Sequence, residues 1–153
     1  MDPLSEPLSA RISLSEIDAN KFPRPAAGER KRFLLSKSAE YEVVLMIWGP
    51  GAATPIHDHG GSRSSVEILD GAVAERIFDK AGPQPKLIEE TILRTGDTSQ
   101  ITDGEVIHQM VNVSDNFSYS VHMYADPLSL CNIYDEDASE WFRNVPCYDQ
   151  VST

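Results

Sequence analysis

The chain has 153 residues, which suits one domain with its own core, and its 41% hydrophobic and 24% charged residues are ordinary for a globular protein. Its 24 acidic and 13 basic side chains give a net charge of −11, which repels nucleic acid and anionic lipid, so we expect neither as a partner. The sequence also lacks an apolar run of the roughly 18 residues that a membrane helix needs, and a secretory signal, so we expect a cytoplasmic protein.

The N-terminal part of the chain is rich in proline. We interpret residues 1–28 as an arm that packs on the main domain, which occupies residues 29–153. Within this arm, residues 13–20 are predicted to form a short helix capped by Ser13 or Ser15, because a serine side chain can accept the first free amide hydrogens of a helix.

From Arg32 onward, short apolar runs alternate with turn residues. The first run, residues 42–48, is apolar almost throughout, which is typical of a strand buried on both faces. Asp70-Gly71 is a strong hairpin signal, and residues 137–142 are predicted to form a short helical turn. Regularly spaced short strands favour an all-β sandwich or barrel. The predicted strands are 42–48, 63–69, 72–78, 85–93, 98–101, 106–113 and 119–124.

Four histidines carry most of the chemical information, namely His57, His59, His108 and His122. In a strand, residues i and i+2 point to one face, so His57 and His59 can address one metal ion together, and His108 from a distant strand can complete the set. A His-x-His pair alone is a weak signal, and a surface or structural role is its plain alternative. The sequence around the histidines must therefore decide between a metal site and this alternative.

These surroundings resemble the two motifs of the cupin superfamily, whose members form a double-stranded β-helix, or jelly-roll, barrel. The first motif is a glycine, His-x-His, an acidic residue and a glycine, and the second is a glycine turn followed by His and Asn. Ser64 stands where the acidic ligand is usual, and a serine cannot replace a carboxylate as a good iron ligand. The resemblance therefore implies three neutral imidazole ligands. The matching positions are Gly51, His57, His59, Gly71, Gly96, His108 and Asn112.

Three further segments are similar to the cysteine dioxygenase family. The run from Trp48 to His59 reads Trp-Gly-Pro-Gly and ends on His-Asp-His, and His108-Gln-Met-Val-Asn resembles the later metal-binding strand. The most specific match is Ser120-Val-His-Met-Tyr, which looks like the family's Ser-x-His-x-Tyr relay. The segment of residues 127–131, proline to cysteine, extends the resemblance, which covers about residues 30–135.

The resemblance implies a thiol dioxygenase in which His57, His59 and His108 hold non-haem Fe(II). Three imidazoles leave coordination positions for the thiolate and amine of L-cysteine and for dioxygen, and the product is cysteine sulfinic acid. Tyr124 would lie near the metal as a catalytic and substrate-binding residue. His122 would orient its hydroxyl with Ser120 behind it, the plain alternative for His122 being a hydrogen-bonded core histidine.

A substrate carboxylate needs a local cation in so acidic a protein. The resemblance places this arginine just before the first core strand, where Arg32 fits best and Arg30 is the alternative. A solvated surface charge is the plain interpretation of either residue. Family members that act on 3-mercaptopropionate commonly have glutamine at this position, so Arg32 favours cysteine.

Several positions depart from the family. Animal members carry, at the position of Ser64, a cysteine joined to the relay tyrosine, so Tyr124 is expected to be unmodified here. The usual Ser-Pro-Pro is replaced by Ala125-Asp126-Pro127, which makes a cis bond between 125 and 126 costly. The two cysteines, Cys131 and Cys147, are interpreted as free thiols, although the sequence leaves a disulfide between them open.

Three residues near the motifs are given structural roles. Trp48 is expected in the core or in the wall of the site, Asp58 is expected to make a structural hydrogen bond, and Glu67 is expected to be a surface charge.

Other functions remain open from the residues. One is a dioxygenase of 3-mercaptopropionate or another small mercapto-carboxylate, and another is a zinc-binding cupin of non-oxygenase function, since three histidines and an open position also describe catalytic zinc. A plain binding module is the last. We expect a monomer, although the sequence does not determine the oligomeric state.

Overall fold

The computed structural model describes residues 21–79, 82–101, 106–125 and 130–146, and in these ranges the chain forms eleven strands and no α-helix. Within the same ranges, no helix has the length and apolar character needed to cross a membrane. The strands are β1 (Arg30–Lys37), β2 (Tyr41–Trp48), β3 (Ile56–His57), β4 (Arg63–Asp70), β5 (Ala72–Asp79), β6 (Lys86–Arg94), β7 (Thr98–Ile101), β8 (Ile107–Asn112), β9 (Ser118–Ala125), β10 (Leu130–Asp135) and β11 (Glu140–Pro146).

The strands form two antiparallel sheets that enclose one interior. The five-stranded sheet has the order β1-β2-β9-β4-β7, and the six-stranded sheet has the order β11-β10-β3-β8-β5-β6. Side chains of both sheets meet in one apolar cluster, to which Met46 and Ile68 contribute from the first sheet and Val73, Met110 and Ile133 from the second. This two-sheet enclosure confirms the predicted all-β barrel.

A second apolar cluster covers the outer face of the five-stranded sheet. Leu45 of β2 and Val121 of β9 are directly paired and fully or almost fully buried, and Phe22 and Phe33 pack against their cluster. Strands β2 and β9 are therefore buried on both faces, which explains their almost unbroken apolar sequence. Phe22 belongs to the predicted arm, whereas the helix expected at residues 13–20 lies outside the described residues.

The predicted helical turn at residues 137–142 is wrong. Glu140 begins β11, and a tight turn joins this strand to β10. The Asp135 carboxylate accepts the backbone N–H groups of Asp137 and Ala138 at 2.9 and 3.1 Å, which closes the turn locally. The chain can then return as a strand, on which Trp141 packs edge-on against its partner Tyr134 at 5.3 Å between ring centroids.

Glu67 is buried rather than a surface charge, since only 6% of it is exposed. It pairs with Val121 on the outer face of the five-stranded sheet, the face that carries the second apolar cluster. The expectation was wrong because it took this face to be in contact with solvent.

Candidate metal centre

Three histidines meet inside the barrel. His57 is the last residue of β3 and pairs directly with His108 of β8, and His59 follows just beyond the end of β3. All three are 3–4% exposed, and their potential ligand atoms lie within 4.8 Å of one another. Nε2 of His59 is 3.2 Å from Nε2 of His108. Nitrogen ligands about 2.1 Å from one ion are roughly 3.0–3.4 Å apart, so His59 and His108 already have the spacing of two ligands of one metal ion, and His57 lies close enough to be the third.

Hydrogen bonds determine which nitrogen of two rings faces the centre. His57 Nδ1 donates to the carbonyl oxygen of Pro55 at 2.7 Å, and His108 Nδ1 lies 3.2 Å from Oε2 of Glu75. A carboxylate and a carbonyl accept hydrogen bonds, so Nδ1 carries the proton in both rings and Nε2 keeps a lone pair for a metal. Nδ1 of His59 is buried and has no hydrogen-bond partner among the described residues.

Burial disfavours protonation of His57 and of His59. It lowers the pKa of His57 and of His59 well below the ordinary value, and the neighbouring His108 lowers both further. Burial also lowers the pKa of His122 to about 3. Neutral imidazole is the form that binds metal, so at neutral pH His57 and His59 need no deprotonation to bind an ion.

The segment that carries His57 and His59 is fastened through the residue between them. The Asp58 carboxylate accepts hydrogen bonds from the backbone N–H of Asn132 at 2.9 Å and from the side-chain amide of Asn132 at 2.8 Å. It also accepts one from the backbone N–H of Gly60 at 3.0 Å. The structural hydrogen bond expected of Asp58 is therefore present, and it ties β3 to β10.

The relay residues share the inner face of β9. Tyr124 is 5% exposed, and its ring lies 5.4 Å from the ring of His59. His122 stacks on Tyr124 at 6.2 Å between ring centroids, and its Nε2 is 2.8 Å from Oγ of Ser120. Ser120 Oγ also accepts the indole N–H of Trp48 at 2.8 Å. The structure thus brings the three predicted relay residues together beside the histidines.

A small cavity lies between the two sheets at this point. Trp48 is fully buried, belongs to the interior cluster and also lines the cavity, so both roles considered for it apply. Ser64 lines it too and pairs directly with Tyr124, as expected from the family resemblance, in which this position faces the relay tyrosine. The remaining wall is formed by the three histidines, His122, Tyr124, Glu75, Ser99 and the apolar or hydroxyl side chains of Met46, Thr54, Val66, Ile101 and Met110.

Both candidate arginines lie on the inner side of β1. Arg30 pairs with Trp48 and Arg32 with Met46, and both of these partners line the cavity. Nη2 of Arg32 forms an ion pair at 3.2 Å with Oε2 of Glu42, which is fully buried. Nη1 of Arg30 donates to the carbonyl oxygen of Ala53 at 2.9 Å. Burial lowers the pKa of Arg30, and the charge interaction of Arg30 with Tyr124 opposes this shift.

Sequence reasoning missed two buried carboxylates, Glu42 and Glu75. Burial raises the pKa of Glu75, but hydrogen bonds from His108 and Ser99 outweigh it and lower that pKa below its ordinary value. Its position in β5 could have revealed it, because Glu75 has the same inward parity as Val73, which belongs to the interior cluster.

Two other expectations are only partly covered. Cys131 is 1% exposed within the interior cluster and forms no disulfide with a described residue, but Cys147 lies outside the described ranges, so their pairing stays untested. Asp126 also lies outside them, as does the peptide bond before it.

Known proteins match both the sequence and the fold. The family model "Cysteine dioxygenase type I" matches residues 16–137. Cysteine dioxygenase type 1 of Homo sapiens is 27% identical over 103 residues, and that of Rattus norvegicus is 30% identical over 104 residues, each match covering 65% of this chain and 52% of the relative. The chain therefore spans about half the length of these curated relatives.

Solved structures that are similar support the barrel. A protein with a double-stranded β-helix domain from Klebsiella pneumoniae aligns with a TM-score of 0.63 at 17% identity, over 78% of this chain and 96% of that one. A recombinant oxalate oxidase aligns with a TM-score of 0.58 at 17% identity, over 72% of this chain and 60% of that one. These likenesses concern the fold alone. Because the family model matches well over half of the sequence, the chain belongs to the cysteine dioxygenase type I family.

Proposed function

We propose that the chain is a thiol dioxygenase that uses a non-haem ferrous ion and dioxygen to oxidise L-cysteine to cysteine sulfinic acid. The observation that carries the proposal is the buried convergence of His57, His59 and His108 beside Tyr124 in a chain of this family. Fe(II), when bound by the three imidazoles, would lower the pKa of the substrate thiol and bring it together with dioxygen, so that both oxygen atoms reach sulfur.

The protein contributes a dry and shaped site. The three ligands are 3–4% exposed, and the wall of the cavity includes Met46 and Met110, so little water surrounds the reacting groups. Exclusion of water strengthens every charge interaction made there. It also makes a local cation necessary for any anionic substrate.

Arg32 is our choice for the substrate carboxylate. Glu42 engages its guanidinium through Nη2 and thereby restricts its orientation on the inner side of β1. A guanidinium has five N–H donors in a fixed fork, so it can bond Glu42 and a substrate carboxylate together. Arg30, two residues earlier on the same face, would add positive charge near Tyr124.

Tyr124 is proposed to hydrogen-bond the substrate or its oxygen atoms through its hydroxyl. The ring is held between His59 and the stacked ring of His122, whose own position is set by Ser120 and Trp48. With a pKa of about 3, His122 stays neutral at physiological pH and serves to position Tyr124 rather than to supply a charge.

The test is oxygen uptake by the purified chain after loading with Fe(II). L-cysteine and 3-mercaptopropionate are compared as substrates, the products are identified by mass spectrometry, and zinc-loaded and metal-free protein serve as controls. We expect oxygen consumption with cysteine, one sulfinic acid formed per dioxygen, and none in either control. Preference for 3-mercaptopropionate would overturn the substrate, and absence of uptake with both thiols would overturn the dioxygenase itself.

A further inference from the structure

One metal ligand carries a carboxylate on its outer side. His108 Nδ1 lies 3.2 Å from Oε2 of Glu75, and both side chains are buried. The other carboxylate oxygen, Oε1, accepts the hydroxyl hydrogen of Ser99 at 2.7 Å. The carboxylate is thus held at both oxygens, so its orientation toward His108 is determined.

This contact also joins the two halves of the barrel. Glu75 stands on β5 of the six-stranded sheet, whereas Ser99 stands on β7 of the five-stranded sheet. Glu75, Ser99 and His108 all line the cavity that contains the metal ligands. The arrangement therefore belongs to the site and not to a distant part of the core.

Charge gives the contact a chemical meaning. The usual acidic ligand of cupins is absent, since Ser64 stands in its place and lines the same cavity. Three neutral imidazoles leave the full charge of a divalent ion uncompensated among the ligands. A carboxylate hydrogen-bonded to a ligating histidine makes that imidazole a stronger donor and offsets part of the charge.

We propose that Glu75 is a positioning residue of the metal centre, which through its hydrogen bond to His108 holds the Nε2 lone pair toward the ion and supplies the negative charge that Ser64 does not. The inference rests on the metal site of the proposed function. Ser99 orients the carboxylate and is the supporting residue.

The test is metal affinity of the full chain, measured by competition between Co(II) and a chelating dye. Loss of a carboxylate behind a ligating histidine typically weakens binding 10–100-fold, and we expect a loss of roughly this size for Glu75→Gln. The matched control is Glu67→Gln, since Glu67 is also 6% exposed but lies on the outer face of β4. It should bind Co(II) as the wild type does.

A second readout separates positioning from general damage to the fold. With iron bound, Glu75→Gln should raise the midpoint potential of the Fe(III)/Fe(II) couple, because the lost negative charge stabilised the more positive ion. If Glu75→Gln does not fold, Ser99→Ala takes its place, because it keeps the charge but frees the carboxylate, and we expect a several-fold weaker affinity.

The results distinguish this inference from the proposed function. If the wild-type protein binds no divalent metal, the metal site is absent and both proposals are wrong. Wild-type binding together with unchanged affinity and potential in Glu75→Gln would overturn the role of Glu75 alone. Unchanged affinity in Ser99→Ala, where Glu75→Gln cannot be obtained folded, would do the same.

Discussion

Arg32 and Glu42 form an ion pair on the inner side of β1 and β2, and Glu42 is fully buried. Removing one partner of a buried pair takes a compensating charge away from the other, which costs about 3–5 kcal/mol. We expect Arg32→Gln to lower the free energy of unfolding by about this amount and to raise KM for cysteine far more than it lowers kcat. Urea denaturation and steady-state kinetics measure the two effects.

The double variant Arg32→Gln with Glu42→Gln separates them. The double variant should recover most of the lost free energy of unfolding, because neither side chain of the pair is charged any longer. KM should stay high, because the cation is absent. Lys31→Gln is the matched control, since Lys31 pairs with Ile47 on the outer side of the same strand. A double variant with wild-type KM would show that Arg32 does not bind the substrate.

Tyr124 and Tyr119 lie on the same strand with opposite parity, and both are at least nine-tenths buried. Tyr124 lines the cavity, whereas Tyr119 belongs to the outer cluster and accepts a hydrogen bond from Arg24 Nε at 3.1 Å. We expect Tyr124→Phe to lower kcat about 100-fold, the usual effect of losing a positioned hydroxyl, while Co(II) affinity stays unchanged. Tyr119→Phe should leave kcat unaffected, and equal activity of the two variants would contradict the role of Tyr124.

At the level of the strands, the sequence predicted seven of the eleven that the described residues form. The seven predicted strands correspond to β2 and to β4 through β9, where apolar runs end at turns such as Asp70-Gly71. Strand β1 was missed because its pattern is inverted, with Arg30 and Arg32 facing inward and Phe33 packed on the outer cluster. That inversion becomes intelligible only once the interior is known to hold a polar site.

The sequence likewise predicted some residues of the site and missed others. Local motifs identified His57, His59 and His108, because a metal centre needs these residue types at strand spacing. The sequence did not indicate Glu75 or Glu42, because the role of each depends on a contact with another strand. Glu75 contacts His108, and Glu42 contacts Arg32. Register across the barrel decides such pairs, and no local pattern encodes it.

The molecule as a whole buries histidines in a neutral form, and this makes its stability depend on pH when metal is absent. Burial lowers the pKa of His122 to about 3 and holds the pKa of His57 and of His59 well below the ordinary 6.5. In the unfolded chain these rings take up protons once the pH falls below about 6.5, whereas the folded protein does not. Protonation therefore favours the unfolded state.

The expected result is a free energy of unfolding that falls as the pH falls, by up to about 1.4 kcal/mol per pH unit for each such histidine below pH 6.5. Urea denaturation of chelator-treated protein between about pH 7.5 and 5.5 measures it, a window in which carboxylates of ordinary pKa hardly titrate. His122→Gln should reduce the slope by one histidine's share, because it removes one proton-binding group from the unfolded chain. A free energy of unfolding that stays constant across this window would show that these imidazoles are not buried in the neutral form. It would also contradict a metal site whose ligands are neutral before metal binds.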